Sequence, residues 1–262
     1  MKKLIFILIC SALLTGCQKN TAEDLKIDTQ QVINLVPAQS ENSITSSDSD
    51  QQDSSAPVST SAGDERTVYQ PGFFYEPLSD DIKERITGIS YQENPTISYN
   101  ELRYVQVLYF DFNEKECSGE LICNEAIAQD LVEIFYELHQ AKYLIEKICL
   151  IDEYGGDDEA SMEDNNSSCF NYRVISGTTK LSQHALGLAI DINPLYNPYV
   201  TNLDGELNVV PANAAAYADR STAYIAKITH DDLAFRLFIE HGFTWGGDWK
   251  NSKDYQHFQK AE

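Results

Sequence analysis

Two short segments hold the residue types that could do chemistry: Ser182-Gln183-His184-Ala185-Leu186-Gly187-Leu188-Ala189-Ile190-Asp191 and Asp254-Tyr255-Gln256-His257. Together they offer two imidazoles and two carboxylates. A hydrolytic zinc site takes three protein ligands from His, Asp or Glu and leaves a fourth position to water; a further carboxylate nearby can then take that water's proton. His184, Asp191 and His257 fit the ligand positions, and Asp254 is left as the base.

Spacing constrains this reading. Donors on one tetrahedral zinc at about 2.1 Å lie within about 3.5 Å of each other. The seven-residue step from His184 to Asp191 would span about 10.5 Å as a helix and about 23 Å as a strand. The chain must therefore bend between them, and Gly187 permits the bend. Beyond it, 188–192 reads as a buried strand that delivers the Asp191 carboxylate. Asp254 and His257 are three apart, which predicts one face of a helical turn with the carboxylate beside the metal water.

The pattern Ser-x-His-x-x-Gly-x-Ala-x-Asp, followed by Asp-x-x-His-Phe, resembles the zinc D-alanyl-D-alanine carboxypeptidase family, which includes VanY-type enzymes and the L-alanyl-D-glutamate endopeptidases of phage endolysins. Phe170-Asn171-Tyr172-Arg173 and Trp245-Gly246-Gly247-Asp248-Trp249-Lys250 extend the resemblance over roughly 76–259. It implies cleavage of peptidoglycan stem peptides with a zinc cofactor, on a compact α+β fold like that of the Hedgehog signalling domain. Matched position by position, it puts His184, Asp191 and His257 on the zinc ligands and Asp254 on the catalytic acid/base. Arg173 falls on a cation that steadies the oxyanion, and Ser182 on a supporting position. The final motif lacks the Glu-x-x-Trp-His of VanY-type enzymes and is more like the endopeptidase branch. That implies cleavage between L-alanine and D-glutamate, with removal of terminal D-alanine as the alternative. There is no His-Glu-x-x-His helix and no His-x-His pair, which disfavours those other zinc peptidases. A non-catalytic, zinc-stabilised wall-binding protein stays open, although a structural zinc needs no base such as Asp254. A solute-binding protein without metal is disfavoured by the motifs and by the lack of room for two lobes.

The elements that must position these residues follow from periodicity. Strands are predicted at 104–112 and 119–123, and a helix at 124–139 with Ile127, Leu131, Ile134, Phe135 and Leu138 on one face. Further strands are predicted at 145–151, 169–175 and 188–193. A final helix at 230–241 follows a Thr229-x-x-Asp232 capping box and stops at Gly242. From residue 67 roughly 200 residues remain, enough for one domain with a sizeable core. The class is α+β, a central antiparallel sheet with flanking helices. The acidic stretch 154–168 does not fit an EF-hand and reads as a solvated loop. It and 194–220 are expected to wall the pocket, with Trp245 and Trp249 framing the cleft. His139, His230 and His241 stand at helix ends without ligand-like partners.

Met1-Lys2-Lys3, an apolar run at 4–14 and the lipobox Leu14-Thr15-Gly16-Cys17 predict an export signal at 1–16. About eleven apolar residues would cover about 16 Å as a helix, against a bilayer core of about 30 Å. The resemblance to lipoprotein signals implies acylation of Cys17. The stretch 17–66, rich in Ser, Thr, Gln, Asp and Ala, then reads as a disordered tether, leaving 67–262 as the peptidase domain. The expected location is extracytoplasmic and lipid-anchored, as a monomer. A formal net charge of -22 disfavours nucleic acid and anionic lipid. The expected partners are therefore peptidoglycan stem peptides and, through Cys17, the membrane. Cys117, Cys123, Cys149 and Cys169 remain for the exported domain. Pairs 117–123 and 149–169 are favoured by position, with free buried thiols as the alternative.

Overall fold

A computed structural model describes residues 66–203 and 205–261. The export signal at 1–16, Cys17 and the tether up to residue 65 lie outside the described residues.

β1 (Thr67–Gln70) and β2 (Phe73–Pro77) pair as a hairpin, and α1 (Asp80–Ile86) follows, capped by Ser79. β3 (Leu102–Phe110) and β4 (Glu116–Asn124) complete an antiparallel sheet in the order β1-β2-β3-β4. Strand alternation puts Val105 and Val107 of β3 and Leu121 and Cys123 of β4 on one face, all buried. That face is covered by α2 (Glu125–Gln140), which begins where the Asn124 side chain accepts the Ala126 N–H at 3.0 Å. Ile127, Leu131, Ile134, Phe135 and Leu138 make the apolar stripe of α2 and are fully buried against the sheet. Each such side chain contributes about 1.5–3 kcal/mol relative to exposure. The opposite sheet face holds a second cluster that includes Leu78, Ile86, Leu102, Ile122 and Phe170.

Beyond α2 the elements shorten. β5 (Lys147–Ile148) pairs in parallel with β6 (Asn166–Ser167), and α3 (Asp158–Glu163) lies between them in the acidic stretch. The strands predicted at 145–151 and 169–175 reduce to β5 and to a single isolated bridge, Val174 with Leu181. The reason is local. The Asn166 side chain takes both backbone groups of Cys149, accepting its N–H at 2.9 Å and donating to its carbonyl at 3.0 Å. Asn171 and Tyr172 likewise spend their N–H groups on His184 and Ser90 carbonyls.

β7 (Ala189–Asp191) precedes a hairpin of β8 (Tyr199–Leu203) and β9 (Glu206–Val210), which occupies part of the stretch expected as a loop. α4 (Leu233–Glu240) is capped by Asp232, whose carboxylate accepts the Ala234 N–H at 2.9 Å, so the cap is Asp232 rather than Thr229. Ala234 and Phe238 of α4 join the α2 core, where Phe238 stacks on Phe258 at 4.4 Å. β10 (Thr244–Trp245), β11 (Ser252–Asp254) and β12 (His257–Gln259) finish two small sheets, β10-β12-β7 and β11-β8-β9. The architecture is a mixed α+β domain with antiparallel sheets and few helices, as expected.

The cysteine pairs are corrected: all four cysteines are free. Cys117 and Cys123 share β4, and six residues of strand separate them by about 20 Å, far beyond disulfide reach. Cys149 donates its thiol to Asn166 Oδ1 at 3.3 Å, and Cys169 is buried in the main core. Among the described residues, no helix is long and apolar enough to cross a membrane.

Candidate metal centre

The centre is set by strand register. In the β12–β7 ladder His257 stands opposite Asp191, and the next pair is Phe258 with Ile190. Successive residues face opposite sides. Phe258 and Ile190 are fully buried in the main core, so His257 and Asp191 share the other face. His184 arrives from a 3-10 turn at Gln183–Leu186, where Ser182 Oγ accepts the His184 N–H at 3.2 Å. Gly187 ends that turn at φ 68°, and a Cβ there would lie 2.5 Å from the Asn124 nitrogen. Both the left-handed backbone and the close approach require glycine. The turn folds the seven-residue interval back on itself, and the Leu188 N–H reaches the Gln183 carbonyl at 3.0 Å.

The donor atoms converge. His184 Nε2 lies 3.1 Å from His257 Nδ1 and 3.3 Å from Asp191 Oδ2, and His257 Nδ1 lies 3.1 Å from Asp191 Oδ1. The two imidazoles thus meet different oxygens of one carboxylate, and one ligand atom from each of the three residues lies within 4.8 Å of the others; two nitrogens with one carboxylate form a hydrolytic zinc donor set. Each imidazole is held from behind. His184 Nδ1 donates to the Cys169 carbonyl at 2.5 Å, and His257 Nε2 donates to Gln259 Oε1 at 3.0 Å. Sequence reasoning missed both partners. For Gln259 a signal existed, since two residues along a strand return to the same face. For the Cys169 carbonyl there was none.

Charge inside this pocket is tightly linked. Burial would raise the Asp191 carboxyl, but the charges and hydrogen bonds of His184 and His257 hold it well below the usual carboxylate range. Burial would lower His257, but the hydrogen bond and charge of Asp191, with the charge of Asp254, leave it pushed up to about 9. Asp254 is pushed up to about 6, first by burial and then by Asp191, against the pull of His257 and His184.

Asp254 and His257 are not on a helical turn. Asp254 ends β11 opposite Tyr199, His257 begins β12, and the chain crosses between the two small sheets through Tyr255 and Gln256. Neighbouring segments take the backbone groups that a helix would use. Trp245 Nε1 donates to the Tyr255 carbonyl at 2.9 Å, and the Ile192 N–H donates to the Gln256 carbonyl at 3.1 Å. Gly246 lets this segment close in, since a Cβ there would stand 2.6 Å from the Asp254 carbonyl oxygen. Arg173 is partly buried, and burial lowers its pKa while Asp191 and Asp254 raise it, which places the guanidinium within the field of both carboxylates. Its Nε forms an ion pair with Asp158 without an aligned hydrogen bond. Asp158 is thus not a solvated acid but the anchor of that arginine, and it also accepts from Asn171 Nδ2 at 2.7 Å.

Trp245 packs in the main core, whereas Trp249 lies 5.3 Å from the His257 ring, centroid to centroid. The 194–220 segment is tied to the motif by Arg220, whose guanidinium stacks 4.1 Å over the Tyr255 ring. His139, His230 and His241 each pair with a surface carboxylate, Glu116, Asp248 and Asp130 respectively. Among the described residues, the buried side-chain polar atoms without a hydrogen-bond partner are Arg173 Nε, Gln183 Oε1, Asp254 Oδ1 and Gln256 Oε1. All four belong to the segments that build this centre. Arg173 Nε is neutralised by Asp158; buried polar atoms are normally satisfied, so the remaining three, Gln183 Oε1, Asp254 Oδ1 and Gln256 Oε1, suit a site made to receive a ligand.

Residues 176–260 match a family model described as D-alanyl-D-alanine carboxypeptidase. Over those residues the chain is similar to that peptidase family. The matched segment contains Ser182, His184, Asp191, Asp254 and His257; Arg173 precedes it by three residues, held to it by the Ser182 N–H on the Arg173 carbonyl at 3.1 Å. Comparisons with curated proteins and with solved structures gave no match.

Proposed function

We propose that this chain is a zinc metallopeptidase that hydrolyses peptidoglycan stem peptides, with His184, Asp191 and His257 as ligands. The observation that carries the reading is the convergence of one donor atom from each of those three residues within 4.8 Å in a segment similar to that peptidase family, with half-buried Asp254 in the field of the same groups. Zinc bound there supplies a Lewis acid and a water acidic enough to attack an amide near neutral pH. Asp254 has an unpartnered oxygen and a raised proton affinity, the properties of a group that accepts a proton from the attacking water and returns it to the leaving amine. Arg173, fixed through Nε by Asp158, keeps its terminal nitrogens for the oxygen that gains charge in the transition state. Ser182 supports the site by capping the turn that carries His184.

The bond proposed is that between L-alanine and D-glutamate, on the ground that Asp254-Tyr255-Gln256-His257-Phe258 resembles the endopeptidase branch. Removal of terminal D-alanine is the second reading, favoured by the description of the matching family. Digestion of purified peptidoglycan, with products read by mass spectrometry, separates them: a new N-terminal D-glutamate supports the endopeptidase, and free D-alanine as sole product rejects it. The lipobox motivates the location. Acylation of Cys17 would tether the domain to the outer side of a bacterial membrane, and Cys17→Ser should release it.

A further inference from the structure

We propose that Gln259 is a positioning residue of the metal centre: its side-chain carbonyl fixes His257 in the tautomer that leaves Nδ1 free to bind metal. This rests on the zinc reading above. The two imidazoles face the centre through different nitrogens. His184 presents Nε2 and His257 presents Nδ1, 3.1 Å apart, so each ring must carry its proton on the opposite atom to be a ligand.

For His184 that proton goes to a backbone carbonyl, Cys169 O at 2.5 Å, which no side-chain replacement removes. For His257 it goes to a side chain, Gln259 Oε1 at 3.0 Å. His257 and Gln259 lie two apart on β12 and so share a face. β12 is the central strand of its sheet, with Gln259 paired to Thr244 on one side and Ala189 on the other, so its backbone is held from both edges. Its cross-strand neighbour on β7, Ala189, is small and fully buried. Were the amide reversed, its NH2 would demand a bare Nε2 and drive the ring proton to Nδ1. That atom lies 3.1 Å from Asp191 Oδ1, where the proton would block coordination.

The test compares zinc affinity, by chelator competition, in wild type, Gln259→Leu and Gln259→Glu. Imidazole nitrogen NMR on the zinc-loaded proteins reports the tautomer. Leucine keeps the side-chain size but has no acceptor, so zinc should bind about 10–100-fold more weakly. Glutamate keeps the acceptor and should retain tight binding. In the loaded wild type, His257 should carry its proton on Nε2. Leucine and wild-type proteins of equal affinity, or a wild-type His257 protonated on Nδ1, would overturn the role of Gln259 while leaving the zinc reading intact. A wild-type protein that binds no zinc would remove both.

Discussion

The sheet that packs on α2 and the region around His184, Asp191 and His257 are built by different means. In the first, position follows from repetition: β3 and β4 pair through nine residues each, and α2 covers them with an uninterrupted apolar stripe. In the second, no strand that carries a proposed site residue exceeds three residues. Each such residue is instead placed by one or two named contacts: a register pair, a capped turn, a carbonyl behind an imidazole. Apolar packing is redundant and tolerates local error, whereas single polar contacts aim a side chain and leave little to replace them. The difference suits the proposed tasks, since a scaffold must resist unfolding and the proposed metal centre must hold a few atoms at set distances.

That contrast can be broken at either end. The largest effect should come from Asp254→Asn. It removes the proposed base but none of the proposed ligands, so turnover should fall about 10²–10⁴-fold with zinc content and melting temperature little changed; near wild-type turnover would remove Asp254 from the chemistry. Phe135→Ala, in the centre of the α2 stripe, should cost about 3–5 kcal/mol of stability, read by denaturant unfolding, while zinc affinity in the folded protein stays close to wild type. A matching loss of zinc affinity would mean that the two regions are not separable.

A sharper probe is pH. Against the effect of burial, the hydrogen bond and charge of Asp191 push His257 up to about 9, so it carries a proton at neutral pH that zinc would displace if His257 is a ligand as proposed. Apparent zinc affinity should therefore rise with pH up to about 9, about tenfold per unit for one proton released, and lose that slope above it. Calorimetry in buffers of different ionisation enthalpy counts that proton; an affinity flat between pH 7 and 9 would contradict the linkage. The smallest effect should follow Ser182→Ala, which removes the cap of the His184 turn and should cost about 1 kcal/mol, seen in thermal melting.

The same contrast decides what could be read in advance. The helix over α2 was legible to within a residue because its period is 3.6, and Asn124 announced its start. That His184 and Asp191 must approach each other was legible from Gly187 between them. The conformation of Asp254 to His257 was not, because a three-residue interval fits a helical turn and a crossing between strands equally well. Only the groups on Trp245 and Ile192 decide it. The β8–β9 hairpin and the use of Asp158 by Arg173 were hidden for the same reason. Both depend on partners distant in sequence, which leave no local period.

The central claim is that His184, Asp191 and His257 hold one zinc. Metal analysis of the purified wild type beside folded His184→Ala and His257→Ala proteins tests it most directly. One zinc per wild-type chain and loss of stoichiometric zinc in both variants are expected. Full zinc retained by both folded variants would contradict it.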